Sequence, residues 1–390
     1  MELYNHQQRF VDIAPNKYGI FHGTGTGKTI TGIEKINSLD ISNCLIICPK
    51  GVASKWRSEY SKNGKFHVLI LTKETFRRDW KTIGKMESII VDEAHHFSSI
   101  KSQLHKSLIA YIKLHEVKYV YLMTATPYRR EPFNIYALAK ILGHNWNYMD
   151  FRHKFYYEQY FGMRSVWLPK PNKEKEVAEL VRKIGDVVSF EECGDLPPIQ
   201  HKVEYVELTS EQKKLIGNLE FIEPNPLTFY LRQHQVCSGE GQKDEYILGL
   251  LETTQKLCIF CRYTEQIDHY QKLLENNRLV FIIDGRTKDK SEVAKCVELN
   301  DKCVLIAQSD SAEGWETPSI STIVFASMSY SFLSYEQSLG RFIRINKQNT
   351  PKLFIYLLTK GTIDEDVYKN IMSKKDFSLE IYAKQGNVHK

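Results

Sequence analysis

Short runs of β-branched and aromatic apolar residues recur along the chain, separated by stretches in which apolar positions return every three or four residues. The first pattern suits a strand buried on both faces and the second an amphipathic helix, so their alternation predicts βαβ units and parallel sheets. In the first part of the chain the predicted strands are GIFHG, NCLIICP, HVLILT, SIIVDE and YVYLMTA. Helical stretches lie between them, including one opening at Lys28 and one over 101–114. Near residue 145 the texture changes, and FRHKFYYEQYFGM packs six aromatics into thirteen residues. A Pro-x-Pro spacer and the Lys/Glu-rich helical stretch NKEKEVAELVRKI follow. After Leu196-Pro197-Pro198 a second series begins, with strands predicted at KVEYVEL, KLCIFC, LVFIID, CVLIAQ, TIVFAS and KLFIYLL. The chain accordingly divides into an α/β lobe over 1–144, a helical insertion over 145–195, a second α/β lobe over 196–372 and a polar tail over 373–390.

Composition changes this picture little. With 390 residues, 42% hydrophobic and 26% charged, the chain has enough apolar surface for two cores and no disorder signature. No apolar run approaches the roughly 20 residues of a membrane helix, and the first residues carry no signal-peptide pattern, so an intracellular protein without a membrane partner is expected. A net charge of +6 permits a polyanionic partner without demonstrating one. Cys258 and Cys261 form a CxxC, a spacing that prompts a search for zinc. In the predicted strand KLCIFC, however, positions three apart face opposite sides, and no second ligand pair accompanies them.

Chemistry concentrates in two places. The segment HGTGTGKT follows a predicted strand and opens a helix, the context of a phosphate-binding loop. Gly23, Gly25 and Gly27 let the backbone approach phosphate, and the free amides of the helix start favour an anion. Lys28 would reach the β- and γ-phosphates of ATP, and Thr29 would hold Mg²⁺. Downstream, the strand SIIVDE ends in Asp92-Glu93. Asp92 would bind the metal, and Glu93 would orient and deprotonate the attacking water. Near the other end, QSLGRFIR places Arg341 and Arg344 three residues apart on one helical face. Such arginines suit the negative charge that grows on a γ-phosphate, and supplying them from the second lobe would make hydrolysis depend on lobe closure.

The order of these segments resembles that of superfamily 2 helicases and translocases, and within them the SWI/SNF-type ATPases. LYNHQQ is similar to the adenine-reading segment, HGTGTGKT to motif I, LIICPKGVASKWRSEY to motif Ia, VDEAHH to motif II and LMTATP to motif III. DLPPIQHKVEYVELTSEQKKL resembles the opening of the second lobe in SWI/SNF-type proteins. QSLGRFIRINKQNTPKLFIYLLTKGTIDEDVY resembles the motif that closes it. The resemblance implies two RecA-like parallel-sheet lobes in tandem. It assigns Gln7 to the base and Gln337 to the nucleotide, and His95, Thr124 and Thr126 to coupling. It also implies phosphate contacts with nucleic acid from Lys50, Trp56, Lys73, Arg286, Ser309 and Ser311. Motif V departs from the family pattern at Glu313 and Trp315, and the accessory domains of chromatin remodellers have no counterpart here. The implied activity is a minimal ATP-dependent translocase on double-stranded DNA, monomeric, with room for a specificity-giving protein partner. Two rivals stand beside it. One is a strand-separating DNA or RNA helicase, for which no wedge-like hairpin stands out in the sequence. The other is a nucleotide-controlled binding switch with little turnover.

Overall fold

The computed structural model describes residues 3–128, 131–161, 164–189, 191–193, 197–312, 314–343 and 350–373. The chain forms two compact units, one ending at Gly194 and the other beginning at Asp195.

The strands of the first unit are β1 (Lys17–His22), β2 (Asn43–Cys48), β3 (His67–Thr72), β4 (Ser88–Asp92), β5 (Tyr119–Met123), β6 (Tyr156–Phe161), β7 (Arg164–Pro169) and β8 (Gly185–Val188). Its helices are α1 (Asn5–Ile13), α2 (Lys28–Asn37), α3 (Ala53–Asn63), α4 (Lys73–Asp79), α5 (Gln103–Leu114), α6 (Pro132–Ile141), α7 (Tyr148–Phe155) and α8 (Glu174–Ile184). Six strands form a parallel sheet in the order β3-β2-β4-β5-β1-β8. The alternation of a strand explains how one apolar run feeds two cores. Leu45, Ile47, Ile89, Val91, Val120 and Leu122 pack on one face, while Cys44, Ile46, Cys48, Ile90, Tyr121 and Met123 pack on the other. Each Val, Leu, Ile or Met side chain among them contributes about 1.5–3 kcal/mol when fully withdrawn from water.

All five strands expected in this part are present. The segment 145–195, expected to be helical, holds α7 and α8 but also an antiparallel hairpin, β6–β7, paired from Tyr156↔Pro169 to Phe161↔Arg164. It ends in β8, which completes the sheet against β1. Clustered Tyr and Phe favour strands as readily as a helical core, and a four-residue strand with a central Asp leaves almost no periodic signal. The first compact unit therefore takes in the insertion as well as 1–144.

The second unit contains β9 (Ile199–Val206), β10 (Lys256–Cys261), β11 (Leu279–Ile283), β12 (Cys303–Gln308), β13 (Thr322–Phe325) and β14 (Lys352–Thr359). Its helices are α9 (Ser210–Ile222), α10 (Pro226–Cys237), α11 (Gln242–Thr253), α12 (Thr264–Leu274), α13 (Lys290–Leu299), α14 (Phe332–Leu339) and α15 (Ile363–Met372). Its sheet is parallel in the order β11-β12-β10-β13-β14-β9, and all six expected strands are in it. Cys258 and Cys261 lie fully buried on β10, and burial pushes both thiols well above their ordinary pKa. Among the described residues, no helix is long and apolar enough to cross a membrane.

Candidate nucleotide site

The loop between β1 and α2 is shaped by two left-handed glycines, Gly25 and Gly27, each with φ of 83°. A side chain is disfavoured there, and a Cβ on Gly27 would meet the Gln7 amide nitrogen at 2.4 Å. Gly27 caps α2 without a side-chain bond, and the N-terminal end of a helix is the end that favours an anion. Lys28 turns into the loop, its Nζ donating to the carbonyls of His22 and Gly23 at 2.9 Å each. Thr26 Oγ1 donates to the Gly23 carbonyl at 2.8 Å, and the Gly23 amide donates to Val188 O at 2.9 Å.

Helix α1 holds this loop from one side. Gln7, only 3% exposed, donates from Nε2 to Gly27 O at 3.2 Å and accepts the Tyr4 amide at 3.0 Å. His6 Nε2 lies 3.0 Å from the Thr26 carbonyl; a carbonyl only accepts, so that nitrogen carries the hydrogen. The carboxamide expected to read adenine is thus engaged in fixing the phosphate loop. His22, the residue that replaces the usual first loop glycine, is fully buried and lies 2.8 Å from Asp186 on β8. Arg9 of α1 donates to both oxygens of the same carboxylate at 2.7 and 2.9 Å. Burial alone would raise the pKa of Asp186, but His22 and Arg9 outweigh it and hold the carboxylate below its ordinary value. Burial lowers the pKa of His22, against the opposing pull of Asp186. Nothing in the sequence announced this clamp, whose members are up to 177 positions apart.

The second half of the site stands at the end of β4. Asp92 accepts a hydrogen bond from the Trp56 indole at 2.7 Å on Oδ2 and from the Glu93 amide at 3.0 Å on Oδ1. Burial, followed by the nearby Glu93 charge, pushes the Asp92 carboxyl up to about 6, with Trp56 and Lys28 opposing. The Asp92 carboxylate and the Thr29 hydroxyl offer oxygen, the donor type that a hard divalent cation prefers. Glu93 adopts a left-handed backbone with φ 49° and ψ 52°. That conformation is costly for a residue with a side chain and concentrates at functional sites. His95, 4% exposed, places Nδ1 3.2 Å from Glu93 Oε2 and 3.2 Å from Thr124 Oγ1. The Thr126 amide donates to that same Thr124 hydroxyl at 3.1 Å. Motifs II and III therefore meet through a continuous polar chain.

Other expected residues fare differently. Trp56 is 1% exposed and faces Asp92, so it cannot touch nucleic acid as expected; its amphipathic ring serves the core and the acid instead. Ser309, at 2% exposure, donates inward to Cys261 O, and Ser311, at 8%, points to Gln308, so neither hydroxyl presents itself to a phosphate. Arg286 bonds Asp284 and Asp268 at 2.7 and 2.8 Å, which neutralises the charge expected for phosphate. Lys50 is exposed and Lys73 half-buried at the start of α4. In the second unit Gln337 is buried, and Arg341 donates to Gln337 O and Trp315 O at 3.0 Å each, so its guanidinium braces its own lobe. Trp315, the motif V departure, is a core residue packed near Phe260 and Phe342. Arg344 and Glu313 lie outside the described residues.

Residues 60–263 match the SNF2-related domain, and residues 242–346 match the helicase conserved C-terminal domain. The first match spans more than half of the chain. The chain belongs to the SNF2-related family. It is a DNA-dependent ATPase of superfamily 2, and ATP is its nucleotide. Among solved structures, the helicase domain of Pyrococcus furiosus Hef is 15% identical, with 93% of this chain and 97% of that one covered and a TM-score of 0.60. That similarity is one of fold and agrees with two tandem RecA-like lobes. The Sulfolobus solfataricus SWI2/SNF2 ATPase core in complex with dsDNA is 17% identical over 98% of this chain and 93% of that one, with a TM-score of 0.44. No curated protein matches the chain significantly. SNF2-related membership accounts for the phosphate loop, the Asp-Glu strand end and the order of the motifs on one chain.

Proposed function

We propose that this SNF2-related ATPase is an ATP-dependent translocase on double-stranded DNA. The observation that carries the reading is the polar chain from Glu93 through His95 to Thr124 and the Thr126 amide, set beside the phosphate loop. It gives the hydrolytic carboxylate a wired connection to motif III, which a passive nucleotide-binding switch does not need. In this reading the glycine loop and Lys28 bind the triphosphate, and Arg344 supplies positive charge to the transition state. Asp92 and Thr29 would hold Mg²⁺, which when bound offsets charge on the β- and γ-phosphates. Glu93 takes the proton from the attacking water, and His95 keeps the Glu93 carboxylate in place. Arg341 and Gln337 keep the end of α14 and the Trp315 loop in register. Lys50 and Lys73 are the phosphate-contacting residues we retain, because both keep surface exposure.

The test is ATP turnover without nucleic acid and with single-stranded DNA, duplex DNA or duplex RNA at stated salt. Duplex DNA should stimulate most; equal or stronger stimulation by a single strand or by RNA would reject the assignment. Strand separation is a second reading, favoured by the β6–β7 hairpin. Tyr160 is 71% exposed and Tyr157 42% exposed on its first strand, and such rings stack on unpaired bases. Unwinding of a forked duplex by the chain alone, lost in Tyr160→Ala, would favour that reading.

A further inference from the structure

Trp56 presents a polar contact that translocation along nucleic acid does not explain. Its ring is 1% exposed in the core between α2, α3 and the sheet. Its single hydrogen-bond donor is aimed at Asp92 Oδ2, 2.7 Å away. With the Glu93 amide on Oδ1, each oxygen of that carboxylate has one fixed donor, and the plane of the group is set. The other edge of the ring sits 3.8 Å from where a Cβ of Gly32 would lie, on the helix that follows the phosphate loop. One rigid side chain thus touches both the phosphate-loop helix and the acid at the end of β4. Phenylalanine would keep an aromatic ring in the core but remove the donor to Asp92 Oδ2, leaving the carboxylate held only by the Glu93 amide.

We propose that Trp56 is a positioning residue for the divalent-metal ligand: its indole N–H fixes the orientation of Asp92 toward the metal. The proposal rests on the assignment of Asp92 as that ligand. Partners that orient a ligating carboxylate commonly change metal affinity by about 10–100-fold when removed. A Trp56→Phe protein should therefore bind Mn²⁺ in the presence of ATP about tenfold more weakly, read from free Mn²⁺ by electron paramagnetic resonance. Its affinity for ATP in chelator should stay within about twofold of wild type, because the indole's one donor bonds Asp92 and not the phosphate loop. A merely structural role would lower both affinities together, and that outcome overturns the proposal.

Thermal unfolding by circular dichroism shows whether the phenylalanine protein is folded. If it is not, Trp56→3-benzothienylalanine decides the matter, since sulfur replaces the N–H at nearly unchanged shape. Asp92→Asn is the control. Wild-type Mn²⁺ affinity in Asp92→Asn would reject Asp92 as ligand and the proposal with it. Loss in Asp92→Asn with full affinity in the folded Trp56 variants would reject only the role of Trp56.

Discussion

At the scale of single residues, the site turns on groups that cannot be exchanged for near neighbours. Glu93→Gln keeps the shape and removes the proposed base. ATP should still bind while the hydrolysis rate falls by about 10²–10⁴-fold, as loss of a positioned base does. A burst-free ATPase time course alongside a nucleotide-binding titration checks both halves. Gly27→Ala is a sharper probe of the loop. An alanine at φ 83° pays about 1–2 kcal/mol of left-handed strain and also drives its Cβ into the Gln7 amide. Both ATP affinity and the melting temperature should fall; an alanine variant with unchanged affinity would show that this loop is not the phosphate cradle. The types of these residues were readable in advance from the GTGTGKT and VDEAHH spacings. The clamp of His22, Asp186 and Arg9 was not, because only parallel pairing of β1 with β8 brings position 22 beside position 186.

Among elements, β8 has the largest consequence for its size. It closes the sheet beside β1, receives the Gly23 amide on Val188 and carries Asp186 to His22 and Arg9. Asp186→Ala should cost about 1–3 kcal/mol, the usual loss when a half-buried partner of charged groups is removed. It should also loosen the phosphate loop, measured as a rise in KM for ATP beyond any change in kcat. The second unit contains a comparable polar knot. His234 on α10 is buried among Asp364, Arg262, Lys243, Tyr263 and Tyr330, and burial lowers its pKa to about 4. Lys243 bonds Asp364 at 2.8 Å beneath it. The folded histidine stays neutral while the unfolded one takes up a proton below its ordinary pKa near 6.5. Stability should therefore be full above pH 6.5 and fall as the pH drops toward 4, by up to about 3 kcal/mol from this group. Urea unfolding at pH 7 and pH 5 should show that slope, and His234→Gln should flatten it even though it lowers stability at both pH values.

For the whole molecule, the proposed stimulation by duplex DNA is the property that the elements must produce together. Phosphate contacts release counterions, so the DNA concentration for half-maximal ATPase should rise steeply with salt. Replacing Lys50 and Lys73 together by alanine should reduce the slope of log affinity against log salt by about 2 units and leave basal ATPase within twofold. A slope equal to wild type would remove both from the DNA-facing surface. Legibility at this scale was uneven for a physical reason. Strands buried on both faces announce themselves by long apolar runs, and every such run in NCLIICP, SIIVDE, KLCIFC and CVLIAQ became a central strand. The hairpin β6–β7 and edge strand β8 were missed, because exposed or very short strands carry no such run.

What the sequence determined by itself was the set of chemical parts and their order: a glycine loop, a lysine, an Asp-Glu strand end and apolar runs long enough for two parallel sheets. Those depend on local spacing, which the chain carries wherever it folds. The tertiary structure decided which side chains face which. It turned Trp56 from an expected DNA contact into a partner of Asp92, set Arg286 against two acids, buried Ser309 and engaged Gln7 with the phosphate loop. A hydrogen bond such as that of Trp56 with Asp92, 36 positions away, exists only once packing has fixed both ends, so no local spacing could have specified it.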